Sequence, residues 1–227
     1  MSEKLKLFSV LGDSVSTLFG YSQPPEAVFY TAEKRCETEV YSVSDTWWGQ
    51  VIAALGGRLL ANNSFSGSTV SFDFRNEIPS YGCSDARTSA LIADGAKPDV
   101  ILIFMGLNDR GLGVPIYPAN EEEKNDFTVF SAAYSEMLRK LRVNAPSAEL
   151  WCLTLPLGVI DGYEPSESAK RQTEAYSMAI AKSAAQNGCR VIDICRMKPY
   201  ESIDGLHPNA GGMRQIAEAA LAVITRG

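Results

Sequence analysis

The chain has 227 residues, a length that suits one substantial α/β domain and is too short for two domains of ordinary size. Its formal net charge of −6, together with the lack of any basic stripe, argues against nucleic acid as a partner. Neither a signal peptide nor a membrane span is visible as a long apolar stretch, so we expect a cytoplasmic protein unless a leader has been removed.

Apolar segments that end in turn residues predict five β-strands along the chain. They cover residues 5–11, 58–64, 99–106, 148–156 and 189–195. Apolar residues at helical spacing predict one helix after each strand. These helices cover residues 46–55, 86–94, 127–141, 168–188 and 209–225. Ser44 or Asp45 is the expected cap of the first helix, and Asp85 that of the second.

Strand and helix alternate five times, a pattern that predicts right-handed crossovers and a parallel sheet with helices on both faces. We therefore expect an α/β fold, a three-layer α/β/α sandwich of the flavodoxin-like kind with a five-stranded parallel sheet. No repeat, low-complexity tract or linker interrupts the pattern, so residues 1–227 are predicted to form a single domain.

The segment 19–43 is longer than an ordinary connection between a strand and a helix. Within it, residues 27–31 and 39–43 are predicted to pair as a small hairpin. The segment leaves the sheet directly after Ser14, so it is either a surface elaboration or a wall over that residue, and both interpretations stay open.

Three polar residues offer the groups that acyl transfer requires. The first strand runs into a Gly-Asp-Ser turn that ends at Ser14, at the edge of the sheet where ligands of open α/β folds bind. The single histidine of the chain, His207, follows Asp204 by three residues in a loop before the last helix, so the carboxylate can reach the imidazole Nδ1. Ser14 would then be the nucleophile, His207 the base and Asp204 the residue that orients the base.

Two further loops lead to the same edge of the sheet. Gly67 follows the second strand, and its backbone N–H can approach a ligand closely because glycine has no Cβ. Asn108 follows the central strand and offers a side-chain amide. With Ser14, these groups look like the donors of an oxyanion hole, whereas the neighbouring Asp109 is expected to stabilise its loop as a hydrogen-bond acceptor.

The sequence does not indicate a metal site, a cofactor or a disulfide framework. The five cysteines are scattered without a C-x-x-C pair, which favours reduced thiols. One histidine without carboxylates at metal-ligand spacing cannot supply a zinc shell, so we expect no metal and no other cofactor. The G-x-S-x-G elbow of the other large serine-hydrolase architecture is absent as well.

Four sequence blocks are similar, in order and spacing, to those of the SGNH (GDSL-type) hydrolases. The blocks are Gly12-Asp13-Ser14, Gly67 after Asn63, Gly106-Leu107-Asn108-Asp109 and Asp204-Gly205-Leu206-His207-Pro208. Each is common by itself, but four of them at the ends of successive strands, over nearly the whole chain, make a specific match. Val15 stands where this family often has leucine, which is a conservative apolar change.

The resemblance implies the SGNH hydrolase fold and a role for each matched residue. Ser14 would be the nucleophile, His207 the general base and then acid, and Asp204 the residue that orients it. The oxyanion hole would comprise the backbone N–H groups of Ser14 and Gly67 and the side chain of Asn108.

The residues and the resemblance together predict a serine esterase that hydrolyses small carboxylic esters through an acyl-enzyme intermediate. A short acyl group, such as the acetyl group of an O-acetylated carbohydrate, is favoured because no extended apolar stripe indicates a lipid groove. A lysophospholipase or thioesterase is one alternative, and a non-catalytic protein that binds a small ligand on the same fold is another. The expected partner is a small-molecule ester, and the oligomeric state is left open.

Overall fold

The computed structural model describes residues 5–22, 24–78, 80–157 and 165–226, and five parallel strands form one sheet within them. The strands are β1 (Lys6–Gly12), β2 (Gly57–Ser64), β3 (Val100–Phe104), β4 (Glu149–Leu153) and β5 (Arg190–Ile192). Their spatial order is β2-β1-β3-β4-β5, and every residue of β3 is buried. This confirms the predicted α/β fold with a five-stranded parallel sheet and a central apolar strand.

Helices cover both faces of the sheet. They are α1 (Arg35–Thr38), α2 (Trp47–Ala54), α3 (Asp85–Ser89), α4 (Leu107–Leu112), α5 (Phe130–Asn144), α6 (Glu167–Gln186) and α7 (Ala210–Ile224). Within the sheet, β2 lies on one side of β1, whereas β3, β4 and β5 follow on the other side. Right-handed crossovers therefore put α2 on one face of the sheet and α3, α5 and α6 on the other. α7 packs against α2, and α5 packs against α3 and α6. None of the helices in the described ranges is long and apolar enough to cross a bilayer.

The predicted helix over 86–94 is wrong in its length and in its cap. α3 ends at Ser89, and its N-cap is Ser84, whose Oγ accepts the N–H of Arg87. The chain leaves the helix to bury Leu91, whose carbonyl accepts the hydroxyl of Ser9 from β1 at 2.8 Å. Tertiary burial therefore decides where this helix stops, against a sequence pattern that favours its continuation.

The cap of α2 also differs from the prediction. Thr46 fills this position, and its Oγ1 accepts the N–H of Gly49 at 3.0 Å. The carboxylate of Asp45 instead accepts the backbone N–H groups of Tyr41 and Ser42, at 3.0 and 2.8 Å. Asp45 is therefore used in the preceding turn and is not available to the helix.

The predicted hairpin between 27–31 and 39–43 does not form. The backbone N–H of Phe29 donates to Thr17 Oγ1 at 2.9 Å, and the carbonyl of Tyr30 accepts the N–H of Phe19 at 3.0 Å. These groups bond to the chain that leaves β1, so they are not free to form a ladder with 39–43.

Several element boundaries at the carboxyl edge of the sheet differ from the predicted ones. β5 ends at Ile192, because the carboxylate of Asp193 turns to accept the Thr154 hydroxyl at 2.8 Å. β3 ends at Phe104, and residues that look like a loop in the sequence form α4. This edge is where the polar residues singled out in the sequence lie.

Candidate active site

Ser14 lies in a tight turn at the carboxyl end of β1. A Cβ on Gly12 would lie 2.4 Å from the Cβ of Ser16, so the turn can fold back on the strand only with glycine at this position. The 3-10 turn that begins at Ser14 is capped by Asp13, whose Oδ1 accepts the N–H of Val15 at 3.1 Å. Ser14 itself is 4% exposed. The turn thus presents one hydroxyl at the sheet edge in a fixed position.

The structure brings Ser14, His207 and Asp204 into direct contact. His207 Nε2 lies 2.9 Å from Ser14 Oγ, and His207 Nδ1 lies 2.7 Å from Asp204 Oδ2. The other carboxylate oxygen of Asp204 accepts the backbone N–H groups of His207 and Leu206, at 2.8 and 3.0 Å. The three-residue spacing therefore allows one carboxylate to hold both the loop and the imidazole, as the sequence predicts.

Burial and hydrogen bonding set the protonation states of this pair. Burial lowers the pKa of His207 below its ordinary value, and the hydrogen bond and charge of Asp204 offset this only in part. Burial raises the pKa of Asp204, but hydrogen bonds from the backbone and imidazole of His207 outweigh it, so this pKa lies below its ordinary value. Near neutral pH the pair is therefore a neutral imidazole beside a carboxylate, the form in which Nε2 can accept a proton.

Two buried tyrosines hold the backbone on both sides of His207. The hydroxyl of Tyr200 donates to the carbonyl of Leu206, and that of Tyr30 donates to the carbonyl of Pro208, each at 2.8 Å. Burial raises the pKa of both phenols, so both hydroxyls keep the proton that they donate. Tyr30 comes from the segment 19–43, and nothing in its local sequence indicates this contact.

Gly67 lies in the loop after β2, next to the turn that carries Ser14. Its φ is +78°, and a Cβ would lie 2.8 Å from Ile78 Cγ1, so both the backbone and the space favour glycine. The same loop is tied to β1 by the N–H of Phe65, which donates to the carbonyl of Gly12 at 3.2 Å. Within the described ranges, the N–H groups of Gly67 and Ser14 donate to no protein acceptor.

Asn108 lies in the first turn of α4, whereas the sequence places it in a loop. Its Nδ2 donates one hydrogen bond to the carbonyl of Ser68 at 3.0 Å, which leaves the second amide hydrogen for another acceptor. Asn108 is therefore joined to the residue after Gly67, on the neighbouring loop. Asp109 is buried and accepts the N–H groups of Val70 and Ser71, at 2.8 and 3.0 Å, so it braces a loop as expected.

Arg87 is a residue of this site that the sequence analysis missed. It is 5% exposed, and all five of its N–H donors are used. Nη2 donates to the carbonyls of Gly12 and Asn63 at 2.8 Å, Nη1 donates to the hydroxyls of Ser68 and Ser80, and Nε donates to Asn63 Oδ1. One guanidinium thus ties the ends of β1 and β2 to the Gly67 loop. An arginine within a helical pattern normally indicates an exposed position, so the sequence carries no signal for this role.

A second buried charge accompanies Arg87. Burial raises the pKa of Asp13 to about 7, an effect that the nearby charge of Arg87 opposes. Burial lowers the pKa of Arg87 to about 10, and the charge of Asp13 opposes this. Asp13, directly beside Ser14, is therefore a second group that titrates close to neutral pH. In the described part of the chain, no three His, Cys, Asp or Glu side chains are arranged as metal ligands would be.

We expect Arg87→Met to lower the free energy of unfolding by about 3–5 kcal/mol, because it leaves buried acceptors unpaired and removes the positive charge near the buried Asp13. Chemical denaturation of the purified protein measures this. Arg139→Met is the control, because Arg139 is itself exposed and pairs with Glu136 at the helix surface, so its loss should lower the free energy of unfolding by no more than about 1 kcal/mol. Equal midpoints for the two variants would contradict the bracing role of Arg87.

Comparisons with known proteins agree with the family resemblance and the fold class that the sequence predicts. The family model described as GDSL-like lipase/acylhydrolase matches residues 6–224. The chain is similar to a protein described as a GDSL-like lipase from Bacteroides ovatus, with 27% identity, a TM-score of 0.75, and 99% of this chain and 100% of that chain covered. A protein from Bacteroides uniformis with the same description has 26% identity and a TM-score of 0.70, with 99% and 98% covered.

A more distant neighbour shares the fold alone. Est24, described as a carbohydrate acetylesterase from Sinorhizobium meliloti, has 15% identity and a TM-score of 0.64, with 98% of this chain and 100% of that chain covered. None of the curated proteins compared with the chain matches it.

Proposed function

The chain belongs to the GDSL-like lipase/acylhydrolase family, and from this membership we propose that it is a serine esterase that hydrolyses small carboxylic esters through an acyl-enzyme intermediate. The observation that carries the proposal is the unbroken line of hydrogen bonds from Asp204 through His207 to Ser14. A nucleophile, a base and a group that orients the base, in this order and at these distances, are what acyl transfer to serine requires.

In the proposed acylation step, Ser14 Oγ attacks the ester carbonyl carbon while His207 Nε2 accepts the hydroxyl proton. Asp204 stabilises the imidazolium that forms and keeps Nε2 directed at the serine. The tetrahedral intermediate collapses as His207 gives its proton to the oxygen of the leaving alcohol, so the C–O bond breaks and an acyl-serine remains. Water then repeats the sequence with His207 as its base, which releases the carboxylic acid and restores Ser14.

The negative charge that develops on the carbonyl oxygen needs donors that are already in place. The backbone N–H groups of Ser14 and Gly67 and the side-chain amide of Asn108 are our candidates. Both backbone groups lack a protein acceptor within the described ranges, and Asn108 keeps one amide hydrogen free. Arg87 and the Ser68 carbonyl support these donors by holding the two loops together.

For the substrate, we propose an ester with a short acyl group, with O-acetylated carbohydrates as the first class to examine. The absence of an extended apolar stripe in the sequence argues against a long lipid chain. Est24, which shares the fold, is described as a carbohydrate acetylesterase, and this makes acetylated sugars a reasonable starting point. A lysophospholipase or thioesterase would instead prefer long acyl chains or thioesters.

Labelling with a fluorophosphonate tests the proposal, because only an activated serine reacts with it. We expect one label per chain, on Ser14, and hydrolysis of acetyl esters in preference to long-chain esters in a panel that varies acyl length and alcohol. A folded protein that takes up no label and hydrolyses no ester would be a ligand-binding protein on this fold, and the proposal would fail.

Asn108→Ala is expected to lower kcat by about 10²–10³-fold with little change in KM. The amide would interact with the tetrahedral oxyanion more strongly than with the planar ester, so its loss is felt mainly in the transition state. Steady-state kinetics with an acetyl ester, together with the melting temperature, measures both catalysis and folding.

Asn76→Ala is the matched control for this prediction. Its Nδ2 also braces the loop, since it donates to the carbonyl of Gly67 at 3.2 Å, but we assign it no oxyanion contact. If both variants lost kcat equally, Asn108 would act only by supporting the loop.

A further inference from the structure

One aromatic ring of the segment 19–43 covers a face of His207. The ring of Phe29 is stacked on the imidazole, with centroids 3.5 Å apart and planes inclined by 9°. Such a contact removes water from that face of the imidazole and restricts its rotation. His207 is only 13% exposed, so Phe29 is a substantial part of its cover.

A lysine ammonium group occupies the other face of the same ring. Lys34 Nζ lies 3.5 Å from the centroid of Phe29. The imidazole already fills one face, and a nitrogen at this distance in the ring plane would clash with ring carbons, so Lys34 must lie over the opposite face. The Phe29 ring therefore lies between the ammonium and the imidazole. The distance from Lys34 Nζ to the centroid of the imidazole is about 7 Å.

The backbone near Phe29 is tied to both halves of the site. The N–H of Phe29 donates to Thr17 Oγ1 at 2.9 Å, and the Thr17 hydroxyl donates to the carbonyl of Ser14 at 2.8 Å. The next residue, Tyr30, holds the carbonyl of Pro208 on the other side. The ring is thus fixed relative to the serine and the histidine together.

We propose that Phe29 and Lys34 are positioning residues that hold His207 as a neutral imidazole facing Ser14 and so set the acidic limit of activity. This inference rests on the proposed function, because it assigns His207 the role of base. Phe29 acts by excluding water and fixing the plane of the ring. Lys34 acts by placing a positive charge where a protonated imidazole would be repelled.

Other charged and titratable groups near His207 also affect its protonation or the pH dependence of activity, and the test must distinguish their effects from those of Phe29 and Lys34. Asp204 favours the protonated imidazole, whereas burial and Lys34 oppose it. Tyr30 and Tyr200 are buried and remain neutral. Asp13 titrates at about 7 beside Ser14, so a kinetic pH profile alone would mix its ionisation with that of His207.

The test follows the imidazole directly. Because the chain has one histidine, an NMR titration of ¹³C-histidine-labelled protein without a histidine tag reports His207 alone. We expect Phe29→Ala to raise the titration midpoint by about 0.5 pH unit or more, since water then solvates the imidazolium and the attraction of the ring for a cation is already used by Lys34 on its other face. Lys34→Gln should raise the midpoint by a smaller amount. The acidic limb of kcat/KM should move in parallel, with about a threefold loss per half unit on that limb.

Lys182→Gln is the matched control. Lys182 lies over the ring of Tyr117, 5.5 Å from its centroid, in a cleft that contains none of the site residues, and its loss changes the net charge equally. The midpoint in this variant should stay at the wild-type value. If Phe29→Ala does not fold, Phe29→Leu takes its place.

The inference stands if the midpoint rises in both the Phe29 and the Lys34 variants, and it is overturned if either midpoint stays within about 0.1 unit of wild type. Failure of the proposed function is a separate result, because the imidazole titrates with or without turnover. If the wild-type protein does not react with the fluorophosphonate, the esterase proposal is refuted. If the protein reacts with the fluorophosphonate but the imidazole midpoint does not move in the variants, this inference alone is refuted.

Discussion

Ser14→Ala is expected to lower kcat for ester hydrolysis by about 10⁴-fold or more and to abolish fluorophosphonate labelling. The hydroxyl is the group that would form the acyl-enzyme, and no other serine lies within hydrogen-bond distance of His207 in the described part of the chain. The fold should persist, since within the described part of the chain this hydroxyl makes one hydrogen bond, the one to that imidazole. Circular dichroism and the melting temperature check this, alongside the kinetics.

Ser16→Ala is the control within the same turn. The Ser16 hydroxyl accepts the indole N–H of the buried Trp47 at 3.1 Å, so its loss should cost about 1–3 kcal/mol of stability. The folded fraction of this variant should still take up one label per chain and turn over ester. If Ser14→Ala kept near-wild-type turnover, or if Ser16→Ala alone lost labelling, the nucleophile would be misassigned.

The parts of the fold that the sequence predicts are those in which local pattern and tertiary burial agree. β3 reads as a continuous apolar run and is buried along its whole length, and α6 and α7 carry apolar residues at helical spacing. α4 was missed because glycines flank and interrupt its sequence, with Gly106 before it, Gly111 within it and Gly113 after it, which is typical of a turn. It is held as a helix by distant contacts, among them the hydroxyl of Tyr176, which donates to the carbonyl of Asp109 at 3.1 Å.

The residues of the candidate site also fall into those whose contacts are local in sequence and those whose contacts depend on tertiary packing. Asp204 and His207 are three residues apart, so their contact is local and can be predicted from spacing. Phe29 and Arg87 act on parts of the chain that are far away in sequence, and neither belongs to a motif with a fixed spacing. Their contacts depend on how the segment 19–43 and α3 pack, and a single sequence does not encode that packing in any local pattern. The roles of Ser14, His207 and Asp204 stay a prediction until the variants are measured.

His207→Ala is expected to lower kcat/KM by about 10⁴-fold, because the chain has no second histidine to serve as base. In the wild-type enzyme, kcat/KM should fall as pH drops through the pKa of His207, which burial holds below the ordinary value of about 6.5. This limb should disappear in the variant. Any ionisation that remains near pH 7 would belong to Asp13, whose pKa burial raises to about 7.

Added imidazole provides the decisive control for His207→Ala. The substitution leaves a space bounded by Phe29, Asp204 and Ser14, the groups that contact the native ring. A free imidazole that enters it can accept the Ser14 proton and be oriented by the same carboxylate, so activity should rise with imidazole concentration and saturate. Rescue should be absent in His207→Ala combined with Ser14→Ala, which separates it from hydrolysis by imidazole in solution. If His207→Ala alone kept activity within about tenfold of wild type, with the same acidic limb, another group would be the base and the proposed proton path would be wrong.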